Sequence, residues 1–497
     1  MRRKRRFHKT EFKATVGLTA EPKRRSLNDH NIDPYLLRGL TIDRKLQSYK
    51  ALDLLCLTLI SCVLIYELPA TAIAQIGASF GMFEAGVFYV YRLNFAVFVI
   101  GVASLNILIN HRYLFSNRYF LLYLLLVSYM LLIVWLNREV SGPNLGWSDP
   151  EIESALTFFL PIIFKYIVFF LVGLYLPRLA KSKALFLCAL FIIFLMVITH
   201  VNLDTLRLNT EDYIDPSYAG NRLFLGDATS IIALISLPFL SSNKAKIILT
   251  VLSAITLFFI GSRTSFAAFT ATTVLYFILS FKPKFLLVSV ICVIAAGVWL
   301  NSVNFDELAE RNPRMFDVVT DFEDDRSVLG RKNLSADGWY DITNNLIMGN
   351  FGGQLFSGPS GNKGGWRSYM HNVFSYWRQF GILAFFIIVS FVARYYFTLW
   401  KNRNHRNHRI FALYFLVGLF LSIETAFSRS FAFPYAHLFF GLTVALNYTM
   451  VSEKSLRSLA DRYYRRPGYQ ITSADRTPRK KKRRIKRKRR SRKKNYS

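Results

Sequence analysis

The sequence predicts an all-α, polytopic integral membrane protein of about 12 transmembrane helices, with one long extracytoplasmic loop that carries short amphipathic helices. Three observations predict it. The 497-residue chain is 52% hydrophobic with a mean hydropathy of +0.26, its apolar residues come in blocks rather than at amphipathic spacing, and the connections between blocks alternate in charge. A soluble fold would have to bury too many helices that are hydrophobic all round. Blocks of about 18 or more apolar residues read as membrane spans, because roughly 20 residues at ~1.5 Å each cross a hydrocarbon core of about 30 Å.

In order, the blocks fall at roughly 51–70, 91–110, 119–137, 154–176, 184–201, 223–241, 246–262, 264–281, 285–301, 371–399, 410–428 and 431–450. Lys and Arg accumulate in cytoplasmic connections. The stretches HRYLFSNR (111–118), PRLAKSK (177–183), NKAK (243–246), FKPK (281–284) and KNRNHRNHR (401–409) are basic and alternate with acidic or mixed ones such as NREVSGPNLGWSDPEIE (137–153). With both basic termini inside as well, the span count must be even, and twelve satisfies it. Residues 302–370 then form the one long loop outside the cytoplasm, carrying 10 acids and 7 Lys/Arg. Its SADGWYDITNNLIMGNFGGQLF stretch mixes aromatic, apolar and turn residues, which predicts short amphipathic helices around 331–347 followed by a Gly-rich turn at Gly349 to Gly353.

The chain thus divides into a basic cytoplasmic N-terminal segment (1–50), a transmembrane bundle (51–450) that includes the 302–370 loop, and a polybasic cytoplasmic tail (451–497) expected to be disordered. Residues 1–50 hold 14 Lys/Arg against 5 acids and residues 451–497 hold 20 against 3, so the termini supply +26 of the +32 net charge. The tail RKKKRRIKRKRRSRKK (Arg479 to Lys494) has no aromatic residues on which bases could stack, which argues against nucleic acid and for anionic lipid headgroups. Cys56, Cys62, Cys188 and Cys292 all fall inside apolar blocks, without disulfide or zinc spacing, and read as packing residues. The charged first 50 residues do not read as a cleaved signal peptide.

Three groups converge on the outer face in this topology: Arg263 at the hinge between the seventh and eighth spans, Arg331 in LGRKNLSADGWY, and His371 in SYMHNVFSYWRQFGI. An arginine at a membrane interface is commonly a snorkelling anchor. Arg263, however, lies among Gly261, Ser262, Thr264 and Ser265 near a helix start, where free N–H groups and the macrodipole also favour an anion. A planar, always-charged guanidinium suits phosphate, and two on one aqueous face suggest a pyrophosphate. A histidine at a helix start is commonly structural, yet its unperturbed pKa of ~6.5 suits it to take a proton near neutrality. Helical spacing places His371, Phe374, Ser375 and Arg378 on one face, making Arg378 a further candidate cation. Asn372, Tyr369 and Arg367 beside the histidine are candidate substrate contacts. The acidic run DFEDDRS (Asp321 to Ser327) could be read as a metal site, but a solvated charge run is the simpler reading, and His405 and His408 lie in a basic cytoplasmic connection; no metal or cofactor is expected. Asp227, Glu424 and His437 inside spans read first as interhelical pairs and second as functional groups.

The order of these pieces resembles the O-antigen ligase and polymerase superfamily of bacterial surface-polysaccharide assembly. The resemblance covers about residues 220–400: Ser262-Arg263 at a span boundary, then Gly330, Arg331 and Trp339 leading to MGNFGGQLF, then His371 and Asn372 with Phe380, Gly381 and Ile382 opening a span. It implies a GT-C-like glycosyltransferase architecture in a bacterial inner (plasma) membrane, with both termini cytoplasmic and the active site on the periplasmic or extracellular face. It also implies that Arg263 and Arg331 hold the pyrophosphate of an undecaprenyl-pyrophosphate-linked glycan and that His371 acts at the acceptor hydroxyl. Arg222, in YAGNRLFLGDATS, resembles a further outer-face arginine of that pattern.

Three functions follow. The favoured one is a polysaccharide (O-antigen or exopolysaccharide) polymerase, transferring a glycan from undecaprenyl pyrophosphate to a sugar hydroxyl of another lipid-linked repeat unit with inversion and without a metal. The second is an O-antigen ligase that uses lipid A core as acceptor. The third, from another class, is a lipid-linked glycan flippase or transporter, against which the gathering of the notable groups on one face argues. Expected partners are the lipid-linked glycan, the glycan acceptor, anionic lipids at the tail, and chain-length regulator and flippase proteins, with no nucleic acid.

Overall fold

Segments with no polar face can satisfy their backbone in lipid only as helices, and helices make almost all of the regular structure. The computed structural model describes residues 63, 69–82, 85–143, 152–179, 183–208, 222–280, 312, 315, 326–356, 366, 370–405 and 408–447. The readings made for both terminal segments, for nearly all of 51–70, for 285–301 and for the acids of DFEDDRS lie outside the described residues, as do Cys56, Cys62 and Cys292. Cys188 is an exposed free thiol.

The helices are α1 (Ala70–Ser79), α2 (Ala85–Phe115), α3 (Arg118–Leu136), α4 (Ala155–Leu179), α5 (Lys183–His200), α6 (Arg222–Ser236), α7 (Asn243–Ile260), α8 (Arg263–Ser280), α9 (Arg326–Asn344), α10 (Phe374–Lys401), α11 (Arg409–Phe427) and α12 (Tyr435–Asn447). Two antiparallel hairpins interrupt them: β1 (Ser141–Pro143) pairs with β2 (Ile152–Ser154) in the register Gly142 to Glu153, and β3 (Val201–Asn202) pairs with β4 (Arg207–Leu208). Among the described residues, six helices are long and apolar enough to cross a membrane, namely α3, α4, α6 with its 3₁₀ extension to Phe239, α7, α10 and α11, and shorter apolar helices add Asn94–Ile109, Ala184–His200, Arg263–Leu279 and Tyr435–Asn447. The architecture is that of an all-α, multi-pass membrane protein.

Helix α3 shows how these segments are used. Phe120, Tyr123, Leu126, Val127, Met130, Ile133 and Val134 recur at helical spacing and are buried in the bundle. The opposite face is equally apolar, with Leu121, Leu125, Leu132 and Trp135 exposed, which suits lipid and not water. Its start is capped by Asn117, whose Oδ1 accepts from the Tyr119 N–H at 2.9 Å.

Several connections between helices meet one another. Gly142 of the first hairpin lies against the Leu355 side chain, and the Asn312 side chain accepts from Arg207 Nε at 3.0 Å and donates to the Leu206 carbonyl. Segments that loop charge assigns to one face are therefore in contact at one end of the bundle.

Helix α10 is the element with the largest departure from expectation. It is broken at Gly381, whose φ of +73° and ψ of −177° belong to a region open essentially to glycine. The break arises because the turn after α9 is stitched into it: Asn350 N–H donates to the Arg378 carbonyl at 2.6 Å, Ile382 N–H to Ile347 O at 3.3 Å, and Trp377 Nε1 to Leu346 O at 2.9 Å. A side chain at Gly349, itself at φ +76°, would meet the Gly381 backbone. Beyond the break, Ile382 to Lys401 at ~1.5 Å per residue reach about 30 Å, one bilayer core. The long amphipathic segment is one helix, α9, starting at Arg326 rather than at 331, and the Gly-rich turn follows it with Gly349 and Gly352 both at φ +76°.

Candidate functional site

At the end of the bundle where these connections meet, α7 stops and α8 starts within two residues. Gly261 takes the left-handed C-terminal position at φ +71°, its N–H donating to the Leu257 and Phe258 carbonyls, and Arg263 opens α8. Ser262 and Ser265 are buried, with their hydroxyls 2.7 Å apart, against Gly226 of α6, which has no side chain to obstruct them. Ser265 donates onward to Asp227 Oδ1 at 2.7 Å. Arg222 is the first residue of α6, and Asp227 lies just over one turn further along it.

Asp227 is 0% exposed and is neutralised by Arg429, a residue of the short connection between α11 and α12. All five N–H groups of that guanidinium are committed. Nε donates to Asp227 Oδ2 at 2.7 Å, Nη2 to Asp227 Oδ1 at 2.7 Å and Ser265 Oγ at 3.0 Å, and Nη1 to Thr264 Oγ1 at 3.1 Å and to the Ser428 hydroxyl. One buried arginine thus ties α6, the start of α8 and the α11–α12 connection into a unit, in the bidentate geometry that suits guanidinium and carboxylate. Glu424, in the last turn of α11, stands 3.4 Å from Nη2 as a second buried acid. Phe431 anchors the same connection: its N–H donates to Ser375 Oγ of α10 at 2.8 Å, and its carbonyl accepts from the Tyr166 hydroxyl of α4.

His371 reaches this unit from the turn before α10, where Asn372 Oδ1 accepts from the Phe374 N–H at 3.1 Å and fixes the turn that leads into the helix. The imidazole pKa is lowered from 6.5 to about 4, first by burial and then by the positive charges of Arg331 and Arg429, while a hydrogen bond to the Ser428 backbone acts in the opposite direction. The ring is therefore neutral near pH 7. Its Nδ1 is buried without a hydrogen-bond partner, so one ring nitrogen is unused by the fold. Arg331, on α9, acts electrostatically on both His371 and Glu424. Arg331 thus acts on His371 through its charge, and Arg263 precedes Thr264, whose hydroxyl accepts from Arg429.

Arg378 is placed differently. Its Nε and Nη2 bind the carboxylate of Asp341, on α9, at 2.7 and 2.6 Å, and Asp341 also accepts from Asn350 Nδ2 at 2.7 Å. That makes Arg378 a buried tie between α9 and α10 next to the Gly381 break. Tyr369 and Arg367 lie outside the described residues. His437 is paired within the bundle: its Nδ1 is 3.1 Å from the Tyr123 hydroxyl, and the Tyr166 ring stacks on it at 3.7 Å.

Sequence reasoning singled out Asp227 and Glu424 but missed Arg429, the residue that organises them. A usable signal was present: FSRSF (427–431) repeats the Ser-Arg pair of GSRTS (261–265) at another span boundary. No protein-family model matches the chain, and no curated protein matches it.

Proposed function

We propose that the protein is a membrane glycosyltransferase of surface-polysaccharide assembly, a polymerase that moves a glycan from undecaprenyl pyrophosphate onto a sugar hydroxyl of another lipid-linked repeat unit. The observation that carries this reading is a neutral imidazole with a buried, unused Nδ1, flanked by Arg331 and Arg429. Such a group is a base held among fixed positive charges, the pairing that glycosyl transfer from a diphosphate requires.

In the proposed reaction His371 Nδ1 accepts the proton of the acceptor hydroxyl as its oxygen attacks the anomeric carbon. The bond from that carbon to the pyrophosphate oxygen breaks on the opposite face, with inversion, and undecaprenyl pyrophosphate departs. Arg263 and Arg331 stabilise the charge that develops on it, with Arg222 as a further contact. Arg429, whose donors are all used, serves as a fixed charge and a positioning residue rather than a ligand. In this reading about 12 spans cross a bacterial inner membrane, both termini are cytoplasmic, and the site lies on the periplasmic or extracellular face with the 302–370 loop.

Purified protein supplied with lipid-pyrophosphate-linked repeat units and no lipid A core is expected to yield a ladder of products. Product formed only after lipid A core is added would make the enzyme a ligase, and binding without any product would favour a transporter.

A further inference from the structure

Glu424 is 1% exposed, and neither of its carboxylate oxygens has a hydrogen-bond partner of good geometry, although the Ser428 side chain acts on it. Its nearest cation, Arg429, stands 3.4 Å away with every N–H group committed elsewhere, two of them to Asp227. One positive charge therefore faces two buried acids. The groups that act on Glu424 are Asp227 from α6, Arg429 and Ser428 from the following connection, and Arg331 from α9; α8 brings Arg263, and the turn before α10 brings His371, to the same end of the bundle. Arg429 is thus shared between the two acids, and Arg331, which the proposed function assigns to the diphosphate, adds a weaker positive charge at Glu424.

A carboxylate stripped of water and of well-placed donors is stable only beside a counter-charge; without one, it neutralises. A diphosphate arriving at Arg331 would divert part of that positive charge and set more negative charge beside the carboxylate. We propose that Glu424 is a proton-binding site coupled to the donor subsite: it shares the positive charge of Arg429 and Arg331 while the site is empty, and it takes up a proton from solvent when a diphosphate binds there. Protonation also converts a repelling oxygen into a hydrogen-bond donor. His371 remains the base for the acceptor, because burial and two guanidiniums keep it neutral in the free protein down to about pH 4.

The inference rests on the reading of Arg331 as a diphosphate ligand, and the test separates the two. Farnesyl pyrophosphate is titrated into the full-length protein in detergent by calorimetry, near neutral pH, in two buffers of different ionisation enthalpy. Wild type is expected to take up a fraction of a proton per diphosphate bound near neutral pH, rising toward one as the pH is raised, and Glu424→Gln about none. Above neutral pH, wild-type affinity should also fall up to about tenfold more per pH unit than that of the variant. Binding with no proton uptake by wild type overturns the inference and leaves the reading of the site intact; that measurement decides alone if the variant does not assemble. Uptake that persists in Glu424→Gln and disappears in His371→Gln overturns it in favour of the histidine. No binding at all overturns the diphosphate reading and the inference with it.

Discussion

Two sets of cationic side chains at opposite ends of the helix bundle are used in opposite ways. At the basic end, Arg118 lies over the Tyr119 ring at 5.0 Å, Arg403 over Trp400 at 4.9 Å and Lys401 over Phe397 at 5.6 Å, each beside the aromatic residues of its own helix end. At the other end, Arg429 and Arg378 are both 2% exposed and bound to Asp227 and Asp341 at 2.6–2.7 Å. The first set snorkels, with apolar stems along the bundle and charges toward water. The second is withdrawn from water and persists only because carboxylates and hydroxyls replace it. Position at a span end does not separate the two classes, but the company does: aromatic neighbours mark the anchor, and Ser, Thr and Asp mark the buried ion pair.

The comparison is sharpened most by activity. His371→Ala is expected to cost at least about 10²-fold in transfer, the usual contribution of a general base, while the protein inserts and melts as wild type. Polymer at wild-type levels in that variant would remove the histidine from the chemistry. Arg263→Ala should also abolish high-molecular-weight product without loss of the folded protein; equal product would return Arg263 to the anchor class.

Stability comes next. Arg429→Ala leaves Asp227 buried and unpaired, an effect of about 3–5 kcal/mol for breaking a buried pair, whereas Arg403→Ala should leave the melting temperature unchanged. Equal melting of the two variants would erase the distinction between the ends. Gly381→Ala forces a side chain onto φ +73° against the Ile347 carbonyl, and a loss of at least about 1–3 kcal/mol is expected in the same melting experiment.

The pH dependence is subtler. His371 must be neutral to act, so the acid limb of kcat/KM should lie near pH 4 rather than 6.5, and Arg331→Gln should move it upward by removing one of the charges that depress it. The sign for stability follows: between 6.5 and about 4 the unfolded chain binds a proton at this position and the folded protein does not, so the histidine's contribution is complete above 6.5 and is lost as pH falls toward 4. A limb that stays at 6.5 would place the imidazole in water. The smallest effect belongs to the tail, where removal of residues 470–497 is expected to leave transfer rates unchanged in purified protein.

Much of the helical architecture was legible because it rests on one-dimensional signals. Apolar blocks locate the apolar helices from α2 to α12 to within a turn or two. The Gly-rich turn was legible as a turn; that Gly349 and Gly381 form one joint was not, because nothing in either stretch names its partner. Arg378 shows the limit of helical-face reasoning: spacing put it with His371, yet its guanidinium goes to Asp341 on α9, a partner supplied by tertiary contact. Arg429 was missed for the same reason. Its meaning depends on Asp227, 202 positions earlier in the chain.

The most direct measurement compares wild type, His371→Ala and Arg403→Ala, purified and inserted in the same bilayers, in extension of a lipid-pyrophosphate-linked repeat unit. A product ladder from wild type and Arg403→Ala with none from His371→Ala is the predicted result. A ladder from all three, or from none while the lipid-linked donor still binds, would contradict a glycan-transfer centre at the buried-charge end of the bundle.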